Sequence, residues 1–330
     1  MRLLVTGGSG FLGRRVVDQA VQAGYQVVGL ARGDGAEDTL HGLGAEAVRG
    51  DLDDPRSAER AFGAARAEAL LSIASLGSGH AETVVAAAGT ASIRRAVFIS
   101  TTGIFTTLEP PSKRVRVAAE TTVQKSGLDW TIIRPTMIYG GPDDRNMCRL
   151  LTLLRHVPVL PVPGGGNALQ QPVHVDDLAA AVLRAVGAED AVRKCYNLAG
   201  PEPLTFREVV AAAGQAVARR PRCLPVPAGP VRGLAGWYER WAARPRLKAE
   251  QIVRLTEDKV FDITDARRDL GFHPRPFTEG IRAQAQLMAA APAKQRERGE
   301  RGERGERGER GERGERGEYY ERREGPSRSG

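Results

Sequence analysis

Residues Thr6 to Gly13 read Thr-Gly-Gly-Ser-Gly-Phe-Leu-Gly, a G-x-x-G-x-x-G series carried by Gly7, Gly10 and Gly13. An apolar run, Arg2 to Thr6, precedes it, and Leu12, Val16, Val17, Ala20 and Val21 follow at helical spacing. Between a strand and a helix such glycines do specific work. Gly7 permits a tight turn, Gly10 lets a pyrophosphate approach the backbone, and Gly13 lets the helix pack closely on the strand. The helix start then offers its N–H groups and positive dipole end to phosphate oxygens. Ser9, Phe11 and Leu12 complete the expected phosphate loop. Arg32 stands nineteen residues after Gly13, at the end of the next apolar run, where an acidic residue would hold an adenosine ribose 2′-hydroxyl. A cation there suits a 2′-phosphate, so the expected cofactor is NADP(H); Asp34 nearby keeps NAD(H) open.

The elements that must carry this loop alternate. Short apolar runs at Arg2–Thr6, Gln26–Leu30, Glu46–Arg49, Ala69–Ile73, Arg95–Ser100 and Trp130–Arg134 are separated by Ala-rich or amphipathic stretches. That alternation predicts an α/β fold, a Rossmann-type doubly wound parallel sheet with a smaller C-terminal substrate lobe. The expected organisation is a dinucleotide-binding domain over residues 1–165, a mixed segment over 166–290 that adds to the sheet and the lobe, and a tail over 291–330. Val173 to Val186 reads as a strand running into a helix, with Asp176 or Asp177 as its N-cap. Thr205 with Glu208 has capping-box spacing. Proline clusters at Pro158 to Pro163 and Pro221 to Pro230 predict loops.

Composition narrows the function class. The chain has 330 residues and a net charge of +8. No apolar run approaches the length of a membrane span, and the first one is too short for a signal core. The three cysteines are widely spaced, which fits a reducing cytoplasm better than a disulfide scaffold. The five histidines form no H-x-x-x-H pair, so no metal site is expected. Arg219, Arg220 and Arg222 read as a solvated turn, not a nucleic-acid surface. Trp237, Tyr238 and Trp241 read as core or lid packing. Seven Arg-Gly-Glu triplets run from Arg298 to Glu318; lacking proline, they read as a disordered, nearly charge-balanced repeat and not a collagen helix.

Further landmarks are Gly50 to Pro55 (GDLDDP), Val97 to Gly103 (VFISTTG), Thr131 to Asp144 (TIIRPTMIYGGPDD), Gln170 to Ala179, Asn197 to Val209 and Asp262 to Arg282. With the glycine loop they resemble the extended, epimerase/dehydratase-like branch of the short-chain dehydrogenase/reductase superfamily, over about residues 1–288. The resemblance implies that Asp51 holds the adenine amine with Leu52 beside it. It places Ala74 and Ser75 along the ribose–nicotinamide path, with Ser100 at the end of the fifth strand. Arg134 and Pro135 would border the nicotinamide. Relatives often dimerise, which makes a homodimer possible here.

The family's catalytic core is Ser/Thr plus Tyr-x-x-x-Lys, and here the sequence departs. No tyrosine lies between Ser100 and Ile138. Counting back from Glu120 puts Arg116 at the lysine position and Ser112 at the tyrosine position; aligning Lys113 instead puts Glu109 there. Neither register restores the pair. Arginine can bind a ribose but has no acid/base role near neutrality. Thr102, with Thr101 beside it, matches the hydroxyl that orients a substrate carbonyl. Tyr139 is a possible substitute, though a Tyr-Gly turn is ordinary at that place in the family. The expected activity is an NAD(P)-dependent epimerase/dehydratase-like oxidoreductase acting on a carbonyl or sugar-type small molecule with a non-standard acid/base. The alternative is a non-catalytic NADP(H)-binding sensor or accessory subunit.

Overall fold

A computed structural model describes residues 1–227 and 256–290, residue 145 apart. The chain divides into two compact units, residues 1–285 and 286–330, the second described only as far as residue 290. The Trp237–Trp241 stripe and the Arg-Gly-Glu run lie outside the described residues.

In chain order the strands are β1 (Arg2–Thr6), β2 (Gln26–Ala31), β3 (Glu46–Arg49), β4 (Ala69–Ser72), β5 (Arg95–Ile99), β6 (Asp129–Pro135), β7 (Ile138–Tyr139), β8 (Val159–Pro163), β9 (Leu169–Gln170), β10 (Val173–His174), β11 (Lys194–Leu198), β12 (Leu204–Thr205) and β13 (Arg222–Val226). The helices are α1 (Phe11–Gln22), α2 (Asp34–Gly42), α3 (Pro55–Ala65), α4 (Ala81–Thr90), α5 (Pro111–Lys125), α6 (Met147–His156), α7 (Val175–Gly187), α8 (Phe206–Ala216), α9 (Thr264–Leu270) and α10 (Phe277–Ala290).

Seven strands form one parallel sheet in the order β11-β6-β5-β4-β1-β2-β3. Because side chains alternate along a strand, Leu3 and Val5 of β1 join one core and Leu4 the other. Val16, Val17 and Ala20 of α1 and Leu178, Ala179 and Val182 of α7 fill the first core. Ala58 and Phe62 of α3, Val84 and Ala87 of α4 and Val123 of α5 fill the second. Each of the valine, leucine and phenylalanine side chains contributes roughly 1.5–3 kcal/mol on burial, the alanines less. The sheet is thus covered on both faces, and its strands' C-terminal ends are left as the place for a ligand.

Two local expectations need correcting. The proline clusters do not form loops alone: β8 and β13 pair as a parallel ribbon, with Pro161 opposite Leu224 and Pro163 opposite Val226. Every second N–H of an edge strand points away from its partner, so Pro161 and Pro163, two apart, cost the ribbon no ladder bond. The N-cap of α7 is His174, whose Nδ1 accepts from the Asp176 N–H at 3.3 Å. Asp176 and Asp177 sit in the first turn and pair with Arg15 and Arg275. The 166–290 segment does add to the sheet: a seventh strand, β11, extends it beside β6, though its five residues, KCYNL, have too little apolar pattern to mark the strand itself. The capping box of α8 is present as its spacing predicts, with Thr205 and Glu208 bonded reciprocally.

Candidate nucleotide and substrate site

The glycine loop joins β1 to α1 at the middle of the sheet. Gly7 has φ +70°, open to glycine and strained for other residues. It abuts the chain after β4: a Cβ there would lie 2.7 Å from the Ala74 nitrogen. Ala74 in turn donates its N–H to the Thr6 carbonyl at 3.2 Å. A Cβ at position 13 would lie 2.0 Å from the Gly7 oxygen, so α1 seats directly on the loop. Gly10 is the N-cap of α1 and no side chain caps the helix, nor does an acidic residue occupy its first turn. The first-turn N–H groups are therefore presented to an anion. Ser9 lies on the loop's half-exposed rim. Phe11 lays its ring against Gly141, while the Leu12 side chain is buried in the core, leaving only its backbone to meet a ligand.

The ends of β2 and β3 lie side by side. Arg32 leaves β2 with its side chain 59% exposed and Asp53 4.0 Å away. The acidic competitor, Asp34, is held by the Arg49 guanidinium, which keeps its carboxyl below the ordinary range. Asp51 follows β3, and its Oδ1 accepts from the Asp53 N–H at 3.1 Å. Leu52 packs half-buried against the second core.

On the other side of the loop the ends of β4, β5 and β6 converge. Ser75 caps a short turn by accepting from the Gly77 N–H at 3.2 Å. Arg116, on α5, lies across Gly77: a Cβ there would sit 2.8 Å from its Nε. Ser100 is 9% exposed, and its hydroxyl has no hydrogen-bond partner among the described residues. Thr102 is also buried and donates its hydroxyl proton to the Pro135 carbonyl at 3.2 Å. Pro135, the last residue of β6, thus holds Thr102 through its carbonyl. Lys113 is tied back, donating to the Thr106 carbonyl at 2.9 Å and to Glu109 at 2.6 Å.

Beside Thr102 opens a cavity of about 250 Å³ lined by Phe105, Thr106, Glu257, Lys259 and Phe261 among others. Its far wall comes from Glu257, Asp258, Lys259 and Phe261, in a stretch whose sequence carries no motif or period. Glu257 stitches this wall to the loop after β5. Its carboxylate accepts from Thr106 Oγ1 at 2.7 Å, from the Thr107 N–H at 3.0 Å and from the Thr107 hydroxyl. Burial works to raise the Glu257 pKa, but these bonds hold it below the ordinary carboxylate range. Behind the wall, Leu169 donates its N–H to Asp258 at 2.8 Å and Lys259 donates to Gln170 Oε1 at 3.3 Å.

Tyr139 is no substitute acid. It is fully buried, set edge-on to His174 with ring centroids 5.2 Å apart and against Phe277 at 5.0 Å. Among the described residues its hydroxyl has no hydrogen-bond partner, and burial pushes the phenol well above its usual pKa. His174 is likewise buried; desolvation first, then Arg275, depresses its pKa, and its Nδ1 is used as the helix cap.

The residues present fit a dinucleotide. A cradle that a single Cβ would fill, an uncapped helix start and the orphaned Ser100 hydroxyl lie along one row of strand ends. A model of the NAD(P)H-binding family matches residues 7–189. A 4-hydroxy-2-methyl-3-oxo-4-farnesyl-3,4-dihydroquinoline-1-oxide ketoreductase from Stigmatella aurantiaca is 27% identical, the match covering 89% of this chain and 98% of that one. An uncharacterized protein from Mycobacterium tuberculosis is 31% identical over 65% of this chain. The chain spans only 23% of that relative's length. Among solved structures, the Thermus thermophilus UDP-glucose 4-epimerase complex with NAD superposes with a TM-score of 0.66 at 23% identity, covering 88% of this chain and all of that one.

Proposed function

Because this chain belongs to the NAD(P)H-binding family and has the fold of the epimerases, we propose that it is an NADP(H)-dependent oxidoreductase acting on a small carbonyl compound. The observation that carries this reading is the cavity beside Thr102, placed at the end of β5 in the same row of strand ends as the glycine cradle. When bound, the nicotinamide would supply or accept the hydride. Gly7, Gly10 and Gly13 would admit the pyrophosphate, Asp51 the adenine, and Arg116, Ser100 and Pro135 the nicotinamide half. Arg32 favours the 2′-phosphate form, supported by the engagement of Asp34 with Arg49.

The chemistry differs from that of a tyrosine-dependent relative. Proton transfer needs a titratable group within reach of the reacting oxygen. Thr102 points its proton at Pro135, so toward the cavity it is an acceptor and a positioning group. A second reading, a nucleotide-binding protein that does no chemistry, draws on this same absence of a tyrosine. Stopped-flow and steady-state consumption of NADPH over a panel of aldehydes, ketones and nucleotide sugars separates the two. Turnover that falls at least about tenfold in Thr102→Val is the expected result. Tight NADPH binding with no turnover on any panel member would establish the second reading instead.

A further inference from the structure

The ribbon of β8 and β13 stands apart from the main sheet, pairing with no other strand among the described residues. Partners across a parallel ladder project to the same side, so the register sorts its faces. Leu160, Val162 and Cys223 turn toward the protein, with Val162 buried. Val159, Pro161, Arg222 and Leu224 share the other face, and all four are exposed. Val159 is 41% exposed and Leu224 53%, so apolar surface is gathered there in one patch.

The edges of the ribbon are unusual as well. Arg222 donates its N–H to the Pro158 carbonyl at 2.9 Å, and the ladder built on that bond leaves the nitrogens of residues 161, 163 and 225 pointing outward. All three are prolines. A ribbon edge ordinarily presents N–H groups that must find water or another strand. Here those donors are missing. An added protein strand gains little from such an edge, and an apolar surround leaves fewer polar groups unsatisfied.

Positive charge collects at one end of this patch. The bond from Arg222 to Pro158 brings the turn at Arg219 to Arg222 beside the end of α6, whose last turn carries Arg155 and His156. Arg219, Arg220 and Arg222 are exposed, and none of them forms an ion pair among the described residues. No aspartate or glutamate occurs from residue 145 to 175 or from 209 to 227. Glu208, just before the second stretch, is spent on the capping box of α8. A surface for single-stranded nucleic acid would set aromatic rings among its cations to stack the bases, and these two stretches hold no Phe, Tyr or Trp.

We infer that the outer face of this ribbon docks on a lipid bilayer that bears anionic headgroups. Val159, Pro161 and Leu224 enter the boundary between headgroups and acyl chains, and Arg219, Arg220 and Arg222 meet the lipid phosphates. This attachment requires neither nucleotide nor turnover.

Co-sedimentation of the full chain with large vesicles tests it, using pure phosphatidylcholine and phosphatidylcholine with about one-third phosphatidylglycerol. The chain should bind the anionic vesicles at least about tenfold more tightly than the neutral ones, and less tightly as salt rises. Each arginine at such a surface is worth about fivefold, so the triple variant Arg219→Gln, Arg220→Gln, Arg222→Gln should bind about 100-fold more weakly. Val159→Ser with Leu224→Ser keeps every charge and should still lose about tenfold or more. The substituted side chains are all exposed, so both variants should melt with the wild type. Equal binding to the two vesicles, binding to neither, or anionic binding unmoved by either variant would overturn the inference. Loss in the triple variant with no loss in the Val159 and Leu224 variant would overturn the insertion of the apolar face. Tighter binding of a single-stranded RNA oligonucleotide than of the anionic vesicles would assign the surface to nucleic acid instead.

Discussion

Gly13→Ala tests the cradle most sharply. The added Cβ would lie 2.0 Å from the Gly7 oxygen and 2.8 Å from both the Gly7 carbonyl carbon and the Gly8 Cα. A relaxed carbon contact is roughly 3.5 Å, so α1 or the loop must retreat by about 1.5 Å. The obstacle is backbone, which cannot swing aside as a flexible side chain does. Overpacking of this kind costs about 3 kcal/mol at the upper end, and the better helix propensity of alanine returns at most about 1. A net loss of about 2 kcal/mol corresponds to a fall in melting temperature of roughly 4–8 °C for a domain this size. The same retreat separates the first-turn N–H groups from the place a pyrophosphate would occupy. Losing one or two charge-assisted hydrogen bonds weakens nucleotide binding by about 10–100-fold or more. Differential scanning fluorimetry with and without NADPH reads both effects at once. Gly63→Ala is the control: it is an exposed position within α3 with nothing within 4 Å of the added carbon, and it should be neutral or stabilising by up to about 1 kcal/mol. If Gly13→Ala melts with the wild type and keeps its NADPH affinity, the close seating of α1 on the loop is wrong.

Arg32→Ala should weaken NADPH about tenfold while leaving NADH nearly unchanged, measured by fluorescence titration; equal losses for both would remove Arg32 from the 2′-phosphate site. Tyr139→Phe removes a buried hydroxyl that has no hydrogen-bond partner among the described residues, so stability should hold or rise by up to about 1 kcal/mol and any turnover should persist. A collapse of turnover in that variant, with the fold intact, would restore Tyr139 as an acid. Asp269 accepts from Lys194 at 2.9 Å and Tyr196 at 2.8 Å and pairs with Arg268, and the Arg268 bond above all depresses its pKa. A depressed carboxylate gives its full stabilisation above its unfolded value of about 4, and that contribution drains away as the pH falls below it and on through the lower folded value. Asp269→Asn should therefore lower the melting temperature by a few degrees at neutral pH and flatten the loss of stability on acidification. An acid limb of unchanged slope would show that the charge of Asp269 is not what β11 and α9 depend on.

What could be read from the sequence was the part whose physics is local. The glycine loop is legible because turn, phosphate approach and helix seating each demand glycine within eight residues. Leu3, Leu4 and Val5 are legible as a buried strand because an unbroken apolar run has few other uses. The cavity was not legible, since Glu257, Lys259 and Phe261 reach Thr102 and Phe105 across some 150 residues of chain and no spacing rule spans that gap. The cap of α7 was misread for a different reason. Asp is the commoner N-cap, but here the two aspartates are drawn to Arg15 and Arg275, and the His174 imidazole takes the Asp176 N–H instead. Tyr139 illustrates the limit on reading chemistry from residue type: a phenol near a site is useful only if solvent or a partner can reach it, and burial among His174, Phe277 and Gly280 removes both.

The order of the sheet has a consequence for how this chain can be cut. The family match runs from residue 7 to 189, yet β1, the strand between β4 and β2, ends at Thr6, and β11, which covers β6, begins at Lys194. A fragment with those limits would lose its middle strand and bare one flank. The neighbours β4 and β2 would lack their shared ladder, and β6, with Ile132 and Ile133 buried in the intact protein, would become an open edge able to recruit strands from other molecules. The same arrangement sets when the sheet can close during synthesis: it stays unfinished until about residue 200 has emerged, and its last pairing joins segments some 60 residues apart. The span of the family match and the span of the sheet therefore differ, and expression boundaries belong at the start of β1 and beyond α10.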